Sequence, residues 1–312
     1  MRAFLFPGQG SQSVGIGAAL AEASQAARDV FAEADEALGQ HLFKLMREGP
    51  DEDLRLTENA QPAIMAHALA VFRALTIEGG VSLEKSAHFV AGHSLGEYSA
   101  LAAAGSFDLA TTAKLLKLRG QVMQAAVPVG VGAMAALLGV DLELAQRIAD
   151  AAAEGEVCTV ANDNDPSQVV LSGHKGAIDR AIALAKDMGA KRAVPLPVSA
   201  PFHCPLMQPA ADAMAEALGR TVIEPPHVPL YANVTAAAVA DPSEIEQLLV
   251  EQVTGMVRWR ESIANMAATG VEEFIELGGK VLGPMVKRIA PEAKVTSVIT
   301  IEDIEAISKE LA

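Results

Sequence analysis

Residues 89–100 read FVAGHSLGEYSA. An apolar run, with a short buried strand expected over 88–91, stops at a glycine. Gly92-His93-Ser94-Leu95-Gly96 then fits the pattern G-x-S-x-G, and residues 97–104 read as helix. A buried strand turning sharply into a helix is the repeating unit of an α/β fold with a mostly parallel sheet. The same turn can act as a nucleophile elbow. Only glycine fits beside the serine, whose hydroxyl is pushed out at the helix N-terminus. There the Leu95 N–H and the helix dipole can stabilise an oxyanion. The plainer reading makes Ser94 a helix N-cap.

Working outward, the same alternation continues on both sides. A strand over 2–6 ends in PGQGSQ, followed by helical periodicity over 17–38 and over 57–76, with Pro62 near the start of the second. Another helix is expected over 109–126, carrying Arg119. The character changes near VPVGVGAM. Strands over 133–140, 157–161, 168–172 and 191–198 with helices over 142–153 and 175–188 give the order βαββαβ, which predicts a ferredoxin-like subdomain. We expect it as an insertion over 127–199 in an α/β hydrolase-like core built from 1–126 and 200–312. Helices over 205–218, 243–252, 259–269, 281–289 and 302–311 and strands over 229–232, 273–277 and 295–298 complete that core.

Composition agrees. The 312 residues are 51% hydrophobic and 20% charged, enough to bury a sizeable core, and aromatics are scarce at 4%. A formal net charge of −15 argues against a nucleic-acid binder, which needs a basic face. Cys158 and Cys204 lie far apart and form no metal-type pair, as reduced thiols of a cytosolic protein would. The apolar start breaks at Pro7, short of a signal peptide, and no stretch approaches the roughly 18 apolar residues of a membrane span. A soluble cytoplasmic protein without a metal is expected.

A serine hydroxyl needs a base to attack at neutral pH. Of seven histidines, His203 stands out in SAPFHCP, between Pro201 and Pro205. The alternative is a structural loop histidine. PGQGSQ could cradle a phosphate, supply a second oxyanion donor or be a simple turn. It lacks both the P-loop lysine and the dinucleotide fingerprint. Arg119, flanked by Leu115, Leu116, Leu118 and Val122, should pair with a carboxylate from the protein or from a ligand.

Taken together, these pieces resemble the malonyl-CoA:acyl-carrier-protein transacylases of fatty-acid synthesis. FPGQGSQ, GHSLGEYSAL, L-x-x-R-G-x-x-M at Arg119 and Met123, VAN-x-N at 160–164, PFH ending in His203, LYANVTA at 230–236 and VRW at 257–259 occur in the family's order. The resemblance implies Ser94 as nucleophile and His203 as general base and then acid. It implies an oxyanion hole from the N–H groups of Gln9 and Leu95, and Arg119 on the malonyl carboxylate. A backbone carbonyl, expected from Arg258, would orient the histidine, and Met123, Phe202 and Asn162 would line the acyl pocket. It further implies malonyl-CoA and phosphopantetheinylated acyl carrier protein as substrates in a ping-pong cycle, no cofactor, and a monomer. Lys191 with Arg192, or Lys280 with Lys287 and Arg288, would dock the acidic carrier. The chain departs from the family at Leu277-Gly278-Gly279-Lys280, where a glycine-proline-glycine turn is common. The competing readings are a serine esterase or thioesterase on the same core, and a catalytically silent carrier- or CoA-binding subunit.

Overall fold

Two sheets share the ten strands of the computed structural model, which describes residues 1–198 and 200–311. Residues 199 and 312, which close the two expected chain segments, lie outside the described residues. In chain order the strands are β1 (Arg2–Phe6), β2 (Phe89–Gly92), β3 (Gly132–Leu138), β4 (Cys158–Asp165), β5 (Gln168–His174), β6 (Arg192–Pro195), β7 (Leu230–Ala232), β8 (Ala237–Val239), β9 (Glu273–Leu277) and β10 (Lys294–Val298).

The larger sheet runs β10-β9-β1-β2-β7-β8, parallel throughout except for the antiparallel β7–β8 pair. Its central strands are apolar without alternation because helices cover both faces: Ala3 to Phe6 and all of β9 are buried. β1, β2 and β7 are parallel, so the loops after Phe6, Gly92 and Ala232 open at one edge. That carboxyl edge is where α/β sheets place their sites.

The smaller sheet is antiparallel, ordered β4-β5-β3-β6. Within the βαββαβ unit this sets the fourth strand beside the first, the first beside the third and the third beside the second, the ferredoxin-like arrangement. Helices Leu142–Ala153 and Lys175–Ala185 pack on it through Ala145, Ile148, Ala149, Ile178 and Ala181, forming a separate small core. β4 joins this unit to the larger one. Val257 donates to the Ala161 carbonyl at 2.8 Å, Arg260 pairs with buried Asp163, and Arg288 pairs with fully buried Asp165.

Those ion pairs explain one difference from the sequence reading. The strands expected over 157–161 and 168–172 leave the turn-rich residues 162–167 as their connection, yet β4 continues through Asp165, with irregularities after Val160 and Asp163. Tertiary pairing of the two aspartates overrides their local preference for turns. The helix expected over 17–38 is two, Ala18–Ala23 and Gln25–Leu38. The break is at Ser24, where the backbone is extended and the hydroxyl caps the Ala27 N–H. Helices Leu42–Glu48 and Asp51–Arg55 and strand β8 were not anticipated, being too short for a periodic signal. Residues Thr57–Glu78 do form a helix with the length and hydropathy of a membrane span. Within its most apolar stretch 83% is buried, against neighbouring helices.

Candidate active site

The chain turns at Ser94 with φ +53°, in the left-handed region that residues other than glycine rarely occupy. Such a turn leaves no room beside it. A Cβ on Gly92 would stand 1.9 Å from the Gly96 carbonyl, and one on Gly96 would stand 2.3 Å from the Phe6 carbonyl oxygen. Gly92→Ala is therefore expected to destabilise the fold by about 3 kcal/mol or more, the cost of severe strain at a special position. Urea denaturation measures this, and an unchanged midpoint would contradict it. The strained turn is held by side chains from distant segments. Asn233 accepts from the Ser94 N–H at 2.8 Å and donates to the Gly92 carbonyl at 2.7 Å, while Gln252 donates to the Ser94 carbonyl at 3.0 Å.

His203, also at positive φ (+56°), brings Nε2 to 2.8 Å from the Ser94 hydroxyl oxygen. Its Nδ1 lies 2.8 Å from the Gln252 backbone carbonyl. A carbonyl can only accept, so the ring proton sits on Nδ1 and the Nε2 lone pair faces the serine O–H. Burial, reinforced by the Arg119 charge, pulls the imidazole down to about 3. It is thus neutral and able to accept a proton throughout the neutral range.

Arg119 is buried beside this pair. Nη1 donates to Gln61 at 2.8 Å, and Nη2 donates to the Gln252 side-chain oxygen at 2.7 Å and to Ser94 Oγ at 3.1 Å. Its guanidinium carbon lies 5.7 Å from the Tyr98 ring centroid, and Nε has no partner. Among the described residues no carboxylate is within ion-pair distance of it. Leaving a cation buried on neutral amides is costly unless a ligand supplies the anion.

A cleft of about 300 Å³ opens over Ser94 and His203, between the two sheets. Gln9, Phe202 and Asn162 line it with Met134 and Val170, whereas Met123 is buried beneath, its sulfur 3.8 Å from the Gln61 amide nitrogen. Among the described residues, the N–H groups of Gln9 and Leu95 donate to no protein acceptor. Gly8 lies against the elbow, since a Cβ there would meet the His93 carbonyl at 2.5 Å. The arrangement is a serine–histidine pair with free amides beside it and an unneutralised cation at the reacting oxygen. That is the equipment for acyl transfer through a serine ester.

The model of the acyl transferase domain family matches residues 3–282. A malonyl CoA-acyl carrier protein transacylase of Escherichia coli strain K12 is 46% identical over 288 residues, 92% of each chain. The chain belongs to the malonyl CoA-acyl carrier protein transacylase family. The solved acyl-carrier-protein-S-malonyltransferase of Bartonella henselae superposes with a TM-score of 0.97 at 51% identity, over 99% of both chains. A malonyl-transacylase solved in complex with a type II PKS acyl-carrier protein superposes with a TM-score of 0.95 at 39% identity, again over 99% of both.

One residue expected from the family resemblance is displaced. The carbonyl that receives His203 Nδ1–H belongs to Gln252, not Arg258. The Arg258 carbonyl instead starts the helix Trp259–Ala268, accepting from the Ser262 N–H and hydroxyl at 2.9 Å. Gln61 and Gln252 lie in none of the motifs quoted from the sequence, and Asn233 lies inside LYANVTA with no role assigned to it. A signal for Gln252 did exist: it lies on the buried stripe Ile245, Leu248, Leu249, Gln252, Val253, where a polar side chain needs a partner. Of the basic groups considered for carrier docking, Arg288 is engaged by Asp165 and Lys287 by the carbonyls of Pro291 and Ala293.

Proposed function

We propose that this chain moves a malonyl group from malonyl-CoA to the phosphopantetheine thiol of an acyl carrier protein, through a malonyl ester of Ser94. The observation that carries this reading is Arg119, buried with no carboxylate partner among the described residues and 3.1 Å from the Ser94 hydroxyl oxygen. A malonyl thioester at Ser94 has its free carboxylate within reach of that cation, and an acetyl group has none to offer.

The chemistry is a ping-pong cycle. His203 Nε2 takes the hydroxyl proton as Ser94 Oγ attacks the thioester carbonyl. The tetrahedral oxyanion accepts from the N–H groups of Leu95 and Gln9. Collapse breaks the C–S bond, and the His203 imidazolium returns its proton to the departing CoA thiol. The carrier thiol then attacks the ester by the same steps in reverse. Phe202 and Asn162 bound the acyl group from the cleft side. The reading includes no cofactor, a cytoplasmic location and a monomeric enzyme meeting its carrier transiently. Its partner is supported by the relative solved with a carrier protein.

Intact-mass spectrometry after mixing with malonyl-CoA, acetyl-CoA or buffer tests the reading. A malonyl adduct on the wild-type chain, absent from Ser94→Ala and discharged by phosphopantetheinylated carrier protein, is expected. Turnover of malonyl-CoA to free acid and CoA without a dischargeable adduct would make the chain a thioesterase. Binding with no adduct would make it a silent subunit.

A further inference from the structure

Beneath the elbow lies a second ionisable side chain that takes no part in the steps above. Glu97, one residue into the helix Gly96–Ala103, is buried. One carboxylate oxygen accepts the Asn233 backbone N–H at 2.6 Å, and the other accepts from the Gln252 side-chain amide. That amide has two unlike ends. One faces only acceptors, the Ser94 carbonyl and Glu97; the other faces a group that can only donate, Arg119 Nη2.

We propose that Glu97 is a positioning residue that fixes the polarity of the Gln252 amide, and through it the placement of Arg119 for a carboxylate-bearing acyl group. The argument rests on what each group can accept. An ionised carboxylate has no hydrogen to offer, so the Gln252 NH2 must face it and the oxygen must face Arg119. A neutral group at 97 puts a hydrogen on one of its two contacts. The Asn233 N–H belongs to the backbone and cannot turn away. The Gln252 amide must then either keep its NH2 against that hydrogen or rotate, which presents NH2 to Arg119 and its oxygen to the Ser94 carbonyl. Either way a matched contact of the amide that accepts from Arg119 is lost in a buried site, and the guanidinium is held less firmly.

The groups facing Glu97 make this charge sensitive to conditions. Arg119, from the helix Leu109–Ala125, favours the ionised form, and Tyr98 is the other titratable neighbour. Burial dominates and pushes the carboxyl up to about 7. Protonation on lowering the pH through that value should act as the neutral substitution does.

The inference rests on the malonyl reading above, and the measurement separates the two. The readout is kcat/KM for malonyl-CoA divided by that for acetyl-CoA, taken on the full chain. Glu97→Gln keeps the side-chain shape but adds a hydrogen, and is expected to lower the ratio about tenfold or more. Glu97→Asp changes the packing but keeps an acceptor-only charge, and is expected to retain the preference even where both rates drop. A packing role predicts the opposite ranking and would overturn the proposal. Should Glu97→Gln fail to fold, the wild-type ratio decides. It is expected to fall between about pH 8 and about pH 6, and a ratio constant across that range overturns the proposal. A wild-type enzyme without malonyl preference at any pH would sink the malonyl reading itself.

Discussion

Replacing His203 with alanine should slow acylation of Ser94 by malonyl-CoA about a thousandfold, the usual worth of a positioned general base. Three observations set the size of this effect. The imidazole Nε2 stands 2.8 Å from the hydroxyl, its tautomer is fixed by the Gln252 carbonyl, and no other histidine among the described residues bonds Ser94. His93 is the nearest in sequence, but its ring is turned to Asn164 at 2.8 Å. Stopped-flow mixing with malonyl-CoA, followed by acid quench and mass measurement of the ester, gives the rate directly. A loss of less than about tenfold would mean that another group takes the proton. The pH dependence of the acetyl-CoA reaction adds a second check, since an acetyl group has no carboxylate to pair with Arg119. Burial depresses His203 to about 3, so the base is already deprotonated at mildly acidic pH. The acetyl rate should therefore run level through pH 6.5, where an ordinary imidazole would show an inflection.

Arg119→Ala should have the other large effect, and it should be selective. Loss of charge-assisted hydrogen bonds to the malonyl carboxylate should cut kcat/KM for malonyl-CoA by about two to three orders of magnitude. The acetyl-CoA value should hold or rise, because the cation that goes unpaired beside an acetyl group is gone. Part of that rise has a specific origin. Arg119 donates to Ser94 Oγ, occupying a lone pair of the nucleophile. A parallel fall of both substrates would instead assign Arg119 to holding the elbow together. Measuring the two values on the same preparation, with a thermal melt as control, distinguishes the cases.

Much of this site was legible before any coordinates, and the reason is local. Gly92, Ser94 and Gly96 announce a turn because backbone contacts closer than van der Waals distance forbid other residues there. His203 is marked by its flanking prolines and Arg119 by its apolar neighbours. What stayed hidden depends on contacts between segments far apart in the chain. Asn233 holds the elbow across 139 residues and Gln252 reaches Ser94 across 158. A lone amide in a helix or after a strand carries no spacing pattern that would announce such a role. The same holds for β4, whose turn-forming residues stay extended because Arg260 and Arg288 arrive from elsewhere. The misplaced carbonyl is a milder case. A backbone acceptor leaves no trace in side-chain identity, so Arg258 and Gln252 could not be told apart by residue type.

The path by which the chain leaves the small sheet has a consequence for engineering. β6 ends at Pro195, and Leu196, Pro197 and Val198 line the cleft, as do Phe202 and His203. Gly132, at the start of β3, is so close to Pro201 that a Cβ would overlap its ring. The first strand of the small sheet and the loop that carries the base therefore touch. A graft or loop exchange in the small sheet made to change acyl preference will also act as a lever on the base. Variants of that kind should be screened first by the spacing they leave between His203 and Ser94, and only then by the shape of the pocket.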